Sequence, residues 1–267
     1  MSYESSHIDV RGVRLHVRRA GVGRPLLYLH GGGGVSEWLP VFDRLARDHT
    51  LVVPDHPGFG QSDEAPHLRD VPDYAMFYLD ALESLVPSSR GLMHLVGHSI
   101  GGWIAAELAT RDCSRLHSLS LIAPAGLRVK GVPMGDPFIW GPEEGVRNLF
   151  VDQTLADRLL AQVPASDEMD RMIKNRYTFA KLAWQPRLFD PRLEKWLHRV
   201  TVPAQLVWGD SDRLIPVAYA ARWQAALPNA RVDLVADSGH LPHVERPEPT
   251  GDALIRFLAQ CVAESDA

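Results

Sequence analysis

Two cysteines in 267 residues, Cys113 and Cys261, are too few and too far apart for a disulfide framework, and neither stands at a metal-binding or redox spacing. Both are read as free thiols without a chemical role. No run of 18 apolar residues occurs, which excludes a membrane-spanning helix. The opening residues, Met1 to His7, lack the basic and apolar stretches of a secretory leader, so a cytoplasmic location is expected. Neither sign of charge is gathered into a run. The 28 basic and 33 acidic side chains leave a formal charge of −5, and nucleic acid or a membrane surface is not expected as a partner. Internal repeats and low-complexity tracts are missing as well.

What is present is a composition of 45% hydrophobic and 23% charged residues, that of an ordinary globular chain with enough apolar mass for a sizeable core. Short continuous apolar runs recur: Leu26–Leu29, Leu51–Val53, Leu92–Val96, Leu116–Ile122, Gln205–Trp208 and Val232–Val235. Each is closed by Gly, Pro, Asp or His, as suits central strands covered on both faces. Between them lie helical patterns over residues 37–47, 73–86, 99–110, 217–227 and 248–263. This alternation predicts an α/β fold with a mostly parallel central sheet and helices on both faces. His7–Val10 and Val13–Val17, flanking Arg11-Gly12, read as an antiparallel hairpin at the sheet edge, which brings the total to about eight strands. The alternation breaks between residues 127 and 199, where amphipathic helix interrupted by Pro and Gly replaces the strands. The expectation is a core made of 1–126 and 200–267, carrying a helical insertion at 127–199 that covers what the sheet presents.

The strand run Leu92–Val96 leads directly into Gly97-His98-Ser99-Ile100-Gly101, and a helical pattern, Trp103–Leu108, follows. Strand, G-x-S-x-G, helix is the setting of a nucleophile elbow, whose sharp turn needs small residues two before and two after the serine. Ser99 then sits at a helix N-terminus, where backbone N–H groups favour developing negative charge. A second glycine cluster, His30-Gly31-Gly32-Gly33-Gly34, also follows a strand. The N–H groups of Gly32 and Ile100 are the expected oxyanion donors, a kind of contact worth about 3 to 4 kcal/mol each in acyl transfer. A phosphate loop is the competing reading, but neither G-x-G-x-x-G nor G-x-x-x-x-G-K-[ST] is matched.

A serine hydroxyl needs a base, and the base needs a group that orients it. Of twelve histidines, His240 follows the last strand in the loop Ser238-Gly239-His240, with His243 as its nearest rival. His94 lies within a strand, His98 within the elbow, and His30 is expected to shape the glycine loop. Asp210 and Asp212 both follow the strand Gln205–Trp208. Either can accept from the imidazole, and a turn role is expected for the other.

Five motifs in this order resemble the α/β-hydrolase superfamily along nearly the whole chain: His30–Gly34, Asp55-His56-Pro57-Gly58-Phe59-Gly60-Gln61-Ser62, Gly97–Gly102, Gly209–Pro216, and Gly239-His240 with Glu245-Arg246-Pro247. The resemblance implies the α/β-hydrolase fold and a triad in the order Ser99, Asp212, His240. In that family the loop after this strand reads G-x-x-D-x-x-x-P, which falls on Gly209, Asp212 and Pro216 and prefers Asp212 to Asp210. It also implies that the insertion is a cap whose inner face forms the substrate pocket, with Gly33, His98, Trp140, Arg176 and Leu241 as the expected substrate contacts. Ser99 argues against family members that use an aspartate nucleophile.

The cap-and-core layout is similar both to small carboxylesterases and to hydrolases that cleave carbon–carbon bonds in meta-cleavage products. The latter typically carry Asn before the nucleophile and Trp after the catalytic histidine, where this chain has His98 and Leu241. They also use a cap arginine, for which Arg176 or Arg171 is the candidate. The expected activity is therefore hydrolysis of a small to medium carboxylic ester through an acyl-enzyme, with a small-molecule acyl substrate as partner and no metal or other cofactor. Carbon–carbon, lactone, thioester or perhydrolase chemistry at the same site, and a catalytically dead ligand receptor on this fold, are the alternatives. Members of the family often pair through caps or edge strands, which leaves room for a homodimer.

Overall fold

The structure, a computed structural model, describes residues 2–265. Eight strands form one sheet: β1 (Glu4–Val10), β2 (Val13–Ala20), β3 (Arg24–Leu29), β4 (His49–Pro54), β5 (Met93–His98), β6 (Leu116–Ile122), β7 (Ala204–Gly209) and β8 (Ala230–Val235). Their order across the sheet is β1-β2-β4-β3-β5-β6-β7-β8, and every pairing from β4 onward is parallel. The antiparallel edge comes from the hairpin, where Arg11 and Gly12 both have positive φ, at 53° and 83°, the requirement of a two-residue turn matched to strand twist.

The central strands are apolar on both sides because helices cover both sides. Leu27, Leu29, Leu95, Leu119, Leu121, Leu206 and Trp208 face one core cluster with α2 (Val71–Leu85), α3 (Ile100–Arg111) and α7 (Ala218–Ala226). The alternate residues Leu26, Tyr28, Leu51, Val53, Val96 and Val207 face a second cluster with α1 (Pro40–Leu45) and α9 (Pro247–Ser265). Period-two alternation thus divides the burial between two layers.

Two helix boundaries differ from the sequence expectation for local reasons. α1 begins at Pro40 rather than 37, since a residue preceding proline is pushed out of the helical region. α2 begins at Val71 rather than 73, because the Asp70 side chain caps it by accepting from the Asp73 N–H at 2.9 Å.

Between β6 and β7 the insertion carries α4 (Pro142–Leu149), α5 (Gln153–Leu160), α6 (Ser166–Ala183) and a 3-10 turn at Glu194–Arg199. Its last part is no separate body. Leu182, Leu188, Leu193 and Leu197 are buried in the same cluster as α2 and α3. A short helix, α8 (Pro242–Glu245), precedes α9. Among the described residues no helix is long and apolar enough to cross a membrane.

Candidate active site

The glycine loop, Ser99, the Asp210–Asp212 loop and His240 follow β3, β5, β7 and β8, so parallel strands deliver all four to one edge of the sheet, at their carboxyl ends. Ser99 has φ 54° and ψ −118°, a backbone conformation that a residue with a side chain rarely adopts. Its N–H donates to the Ile122 carbonyl at 2.9 Å, and its carbonyl accepts from Trp103 and Ala125 at 3.0 and 3.1 Å. The turn is tight: a Cβ on Gly97 would lie 2.4 Å from the Gly101 carbonyl oxygen, and one on Gly101 would lie 2.2 Å from that of Leu29. Ile100 opens α3, so its N–H has no preceding helical turn to bond.

Ser99 Oγ lies 2.9 Å from His240 Nε2, and His240 Nδ1 lies 2.8 Å from Asp212 Oδ2. All three residues are buried, with Ser99 5% exposed, His240 2% and Asp212 6%. The other Asp212 oxygen accepts from the N–H groups of Leu214 and Ile215, both at 2.8 Å, which fixes the carboxylate. A carboxylate acceptor puts the imidazole hydrogen on Nδ1 and leaves Nε2 free to accept from the serine hydroxyl. Asp210 is exposed and accepts from the Ser211 hydroxyl within its own turn. Geometry thus separates two aspartates that spacing alone leaves equal.

The His240 loop is anchored from two sides. The His240 N–H donates to Leu149 O of the insertion at 2.9 Å. Buried Glu245 accepts from the Gly239 N–H through one oxygen at 2.7 Å, and from the Val151 and Asp152 N–H groups through the other at 2.7 and 2.5 Å. Behind the imidazole, His98 Nε2 donates to the His240 carbonyl at 3.0 Å, and its ring packs 4.4 Å from that of His243. Burial holds His98 well below the usual histidine range and lowers His243 to about 3, so both rings are neutral.

The glycine loop is braced in the same manner. Gly34 N–H donates to Gly31 O at 3.0 Å, closing a turn across Gly32 and Gly33. His30 donates from Nδ1 to Gly31 O at 2.7 Å and accepts from the His56 N–H through Nε2, while His56 Nε2 donates back to the His30 carbonyl. Burial pushes both rings down, keeping them neutral. Asp55 accepts from His16 and Arg18 at 2.9 and 2.8 Å, and Arg18 also reaches Val35 O at the end of the loop. Burial alone would raise the Asp55 carboxyl, but these partners outweigh it and hold the group well below the usual range.

The expected substrate contacts fare differently. Gly33 is exposed within the turn, and Leu241 is half-buried at the start of α8. Trp140 is half-buried, its ring over Gly135, where a Cβ would collide with it. His98 is buried, with its Nε2 turned to the His240 carbonyl. Arg176 is exposed, on a helix whose buried residues are Asn175, Thr178, Leu182 and Ala183, and Arg171 pairs with Asp167 at 2.8 Å.

Sequence reasoning passed over Asn175 and Arg187. A Cβ on Gly32 would lie 2.7 Å from the Phe179 ring. Phe138 packs on Phe179 at 4.9 Å and on Trp184 at 5.5 Å, and the Arg187 guanidinium lies over the Trp184 ring at 4.2 Å while pairing with Asp136. Phe179 therefore lies against the glycine loop, and Phe138 and Trp184 extend this aromatic wall away from it toward the surface. Among the described residues, no three His, Cys, Asp or Glu side chains converge as a metal site.

A strand-delivered elbow serine, an imidazole and a carboxylate on this sheet define an α/β-hydrolase architecture, and comparison with known proteins agrees. The profile of the alpha/beta hydrolase family matches residues 26–253, and the chain belongs to that family. It is 32% identical over 278 residues to a dihydrolipoyllysine-residue acetyltransferase component of the acetoin cleaving system of Cupriavidus necator, covering 94% of this chain and 68% of that one. It is 25% identical to the 2-hydroxy-6-oxo-6-(2'-aminophenyl)hexa-2,4-dienoic acid hydrolase of Metapseudomonas resinovorans, over 97% and 92% of the two chains. A solved structure of a bacterial membrane phospholipase A superposes with a TM-score of 0.79 at 25% identity, covering 97% of this chain and 86% of that one.

Proposed function

We propose that this protein hydrolyses a carboxylic ester of small to medium size through an acyl-enzyme on Ser99. The observation that carries this reading is the continuous relay from Asp212 through His240 to Ser99, with contacts of 2.8 and 2.9 Å, at a serine held in strained backbone geometry. His240 accepts the hydroxyl proton through Nε2 as Ser99 Oγ attacks the ester carbonyl. Asp212 stabilises the imidazolium that forms, and the proton then passes to the leaving alkoxide. The N–H groups of Gly32 and Ile100 receive the oxyanion, in a site kept dry by the insertion acting as a cap. Water repeats the sequence to release the acid. The Phe179 ring against Gly32, backed by Phe138, bounds the acyl side and favours a compact apolar group.

Carbon–carbon hydrolysis of a dienoate is the second reading, favoured by the Metapseudomonas relative, which aligns over 97% of this chain. The His98 and Leu241 positions weigh against it, and Arg187, pairing with Asp136, is the cap arginine nearest the aromatic wall. The test is turnover of p-nitrophenyl esters of graded acyl length, beside a meta-cleavage dienoate, by wild type and Ser99→Ala. Ester turnover lost in Ser99→Ala with the dienoate untouched supports the ester reading. Rapid dienoate loss with feeble ester turnover overturns it in favour of carbon–carbon cleavage, and full ester turnover by Ser99→Ala removes Ser99 from the mechanism.

A further inference from the structure

Four consecutive glycines are a poor scaffold for a donor that must point at one spot. Each can exchange backbone conformations at little cost, and a flipped peptide would turn a neighbouring carbonyl toward the oxyanion in place of an N–H. The Gly31–Gly34 hydrogen bond closes the turn but leaves the Gly33 carbonyl, at its tip, to find another partner. That partner comes from the insertion: Asn175 Nδ2 on α6 donates to Gly33 O at 2.8 Å, while its Oδ1 accepts from the Gly60 N–H, also at 2.8 Å. The two contacts settle the amide orientation, since a flipped amide would set oxygen against oxygen and N–H against N–H. Asn175 is only 7% exposed, and asparagine is a weak helix former, so its place on the inner side of α6 is explained by these bonds rather than by helix propensity. The fit is close, for a Cβ on Gly34 would lie 2.5 Å from Asn175 Nδ2.

Neighbouring contacts from α6 run elsewhere. Lys174 donates to Gly60 O and Ser62 O at 3.3 and 2.5 Å, and Thr178 donates to Gly58 O at 2.7 Å. These tie the insertion to the 58–62 loop. Among the described hydrogen bonds from α6, the Asn175 bond to Gly33 alone enters the glycine loop.

We infer that Asn175 is a positioning residue for the oxyanion donors: its side-chain amide on α6 fixes the Gly33 peptide and so holds the glycine loop in its donating conformation. The inference rests on the ester-hydrolase reading.

Variants of the full chain separate this role from general cap anchoring. Asn175→Ala removes both bonds. Asn175→Asp keeps an acceptor for Gly60 but sets a carboxylate oxygen against Gly33 O. Thr178→Val loosens the cap without touching the glycine loop. The readouts are kcat and KM for p-nitrophenyl butyrate and the rate at which a fluorophosphonate labels Ser99, since phosphonylation also needs the oxyanion donors. In Asn175→Ala and Asn175→Asp, kcat and labelling rate are expected to fall together by about tenfold to 100-fold with KM shifted by no more than about twofold, as for a misplaced catalytic group. Thr178→Val is expected to stay near wild type in all three. Wild-type rates in both Asn175 variants, a change confined to KM, or an equal loss in Thr178→Val would overturn the inference while leaving the ester reading intact. If Asn175→Ala fails to fold, Asn175→Asp decides the matter alone. Wild-type protein that neither labels nor turns over ester would instead sink the ester reading, and this inference with it.

Discussion

Glu245 accepts a hydrogen bond from the N–H of Gly239 at 2.7 Å, one residue ahead of His240, and with its other oxygen holds the insertion at Val151 and Asp152. One carboxylate therefore sets the distance between the candidate base and the polypeptide that covers it. Glu245→Ala strands three N–H groups, and buried donors left unmet cost about 1 to 3 kcal/mol each, so a loss of about 3 kcal/mol or more is expected in urea unfolding. Glu245→Gln preserves shape but turns N–H toward N–H on one side. It should keep most of the stability and lose kcat through a displaced His240. Equal stability of Glu245→Ala and wild type would show that water replaces the carboxylate.

The two aspartates after β7 give a sharper contrast. In Asp212→Asn the carbonyl oxygen can still accept from Leu214 and Ile215, which directs the amide NH2 at His240 Nδ1. The imidazole is then forced to carry its hydrogen on Nε2, the wrong tautomer for a base, and kcat should fall by about 10⁴-fold with the fold intact. Asp210→Asn, exposed and bonded to Ser211, should leave kcat within about twofold. A comparable loss in both would mean that the loop, not the hydrogen bond, matters.

The elbow and glycine loops were legible because a turn that admits only glycine leaves a mark in sequence. The sheet was legible because strands buried on both faces are written as unbroken apolar runs. Asn175 and Arg187 were not, because their roles arise from where α6 and its following loop land on the core, and a polar residue within an amphipathic helix reads as solvated until its neighbours are known. Arg176, expected as a substrate contact, lies exposed on α6 for that reason: helical periodicity does not say which face an insertion turns inward. The bond from His98 to the His240 carbonyl was not legible either, because its acceptor is contributed 142 residues later.

Glycines in the two loops are predicted to differ in tolerance. The Cβ of Gly101→Ala would fall 2.2 Å from Leu29 O and 2.3 Å from His30 O, both backbone atoms that cannot swing aside. A loss of about 3 kcal/mol or more, or failure to fold, is expected. A Cβ on Gly33 meets nothing within 4 Å, and Gly33→Ala should shift unfolding free energy by no more than about 0.5 kcal/mol. Thermal unfolding of the pair, read by circular dichroism, checks the ranking, and an equal penalty at both positions would contradict the packing described.

Stability should fall steeply below pH 6.5, and the buried histidines fix the direction. Burial holds His56 and His98 well below the usual range, His243 near 3 and His94 near 2, whereas the unfolded chain titrates them at about 6.5. Each is neutral when folded and binds a proton when unfolded. Its contribution is complete above 6.5 and is lost as pH falls toward the folded value. At pH 5 the loss is about 2 kcal/mol for each of His243 and His94. His56 and His98 add in the same direction, so the fold should lose a large part of the roughly 5–15 kcal/mol of an ordinary domain there. Asp55 acts in the same direction but later, because a carboxyl held low in the native state withdraws its stabilisation only below about pH 4. The window between 6.5 and 5 therefore belongs to the histidines. Urea midpoints measured from pH 7.5 to 5.0 should drop throughout that window, and His243→Leu, which removes one titrating ring and an unpartnered Nδ1, should reduce the slope by about 1.4 kcal/mol per pH unit. A midpoint unchanged between pH 7.5 and 5.0 would mean that these rings take up protons without unfolding.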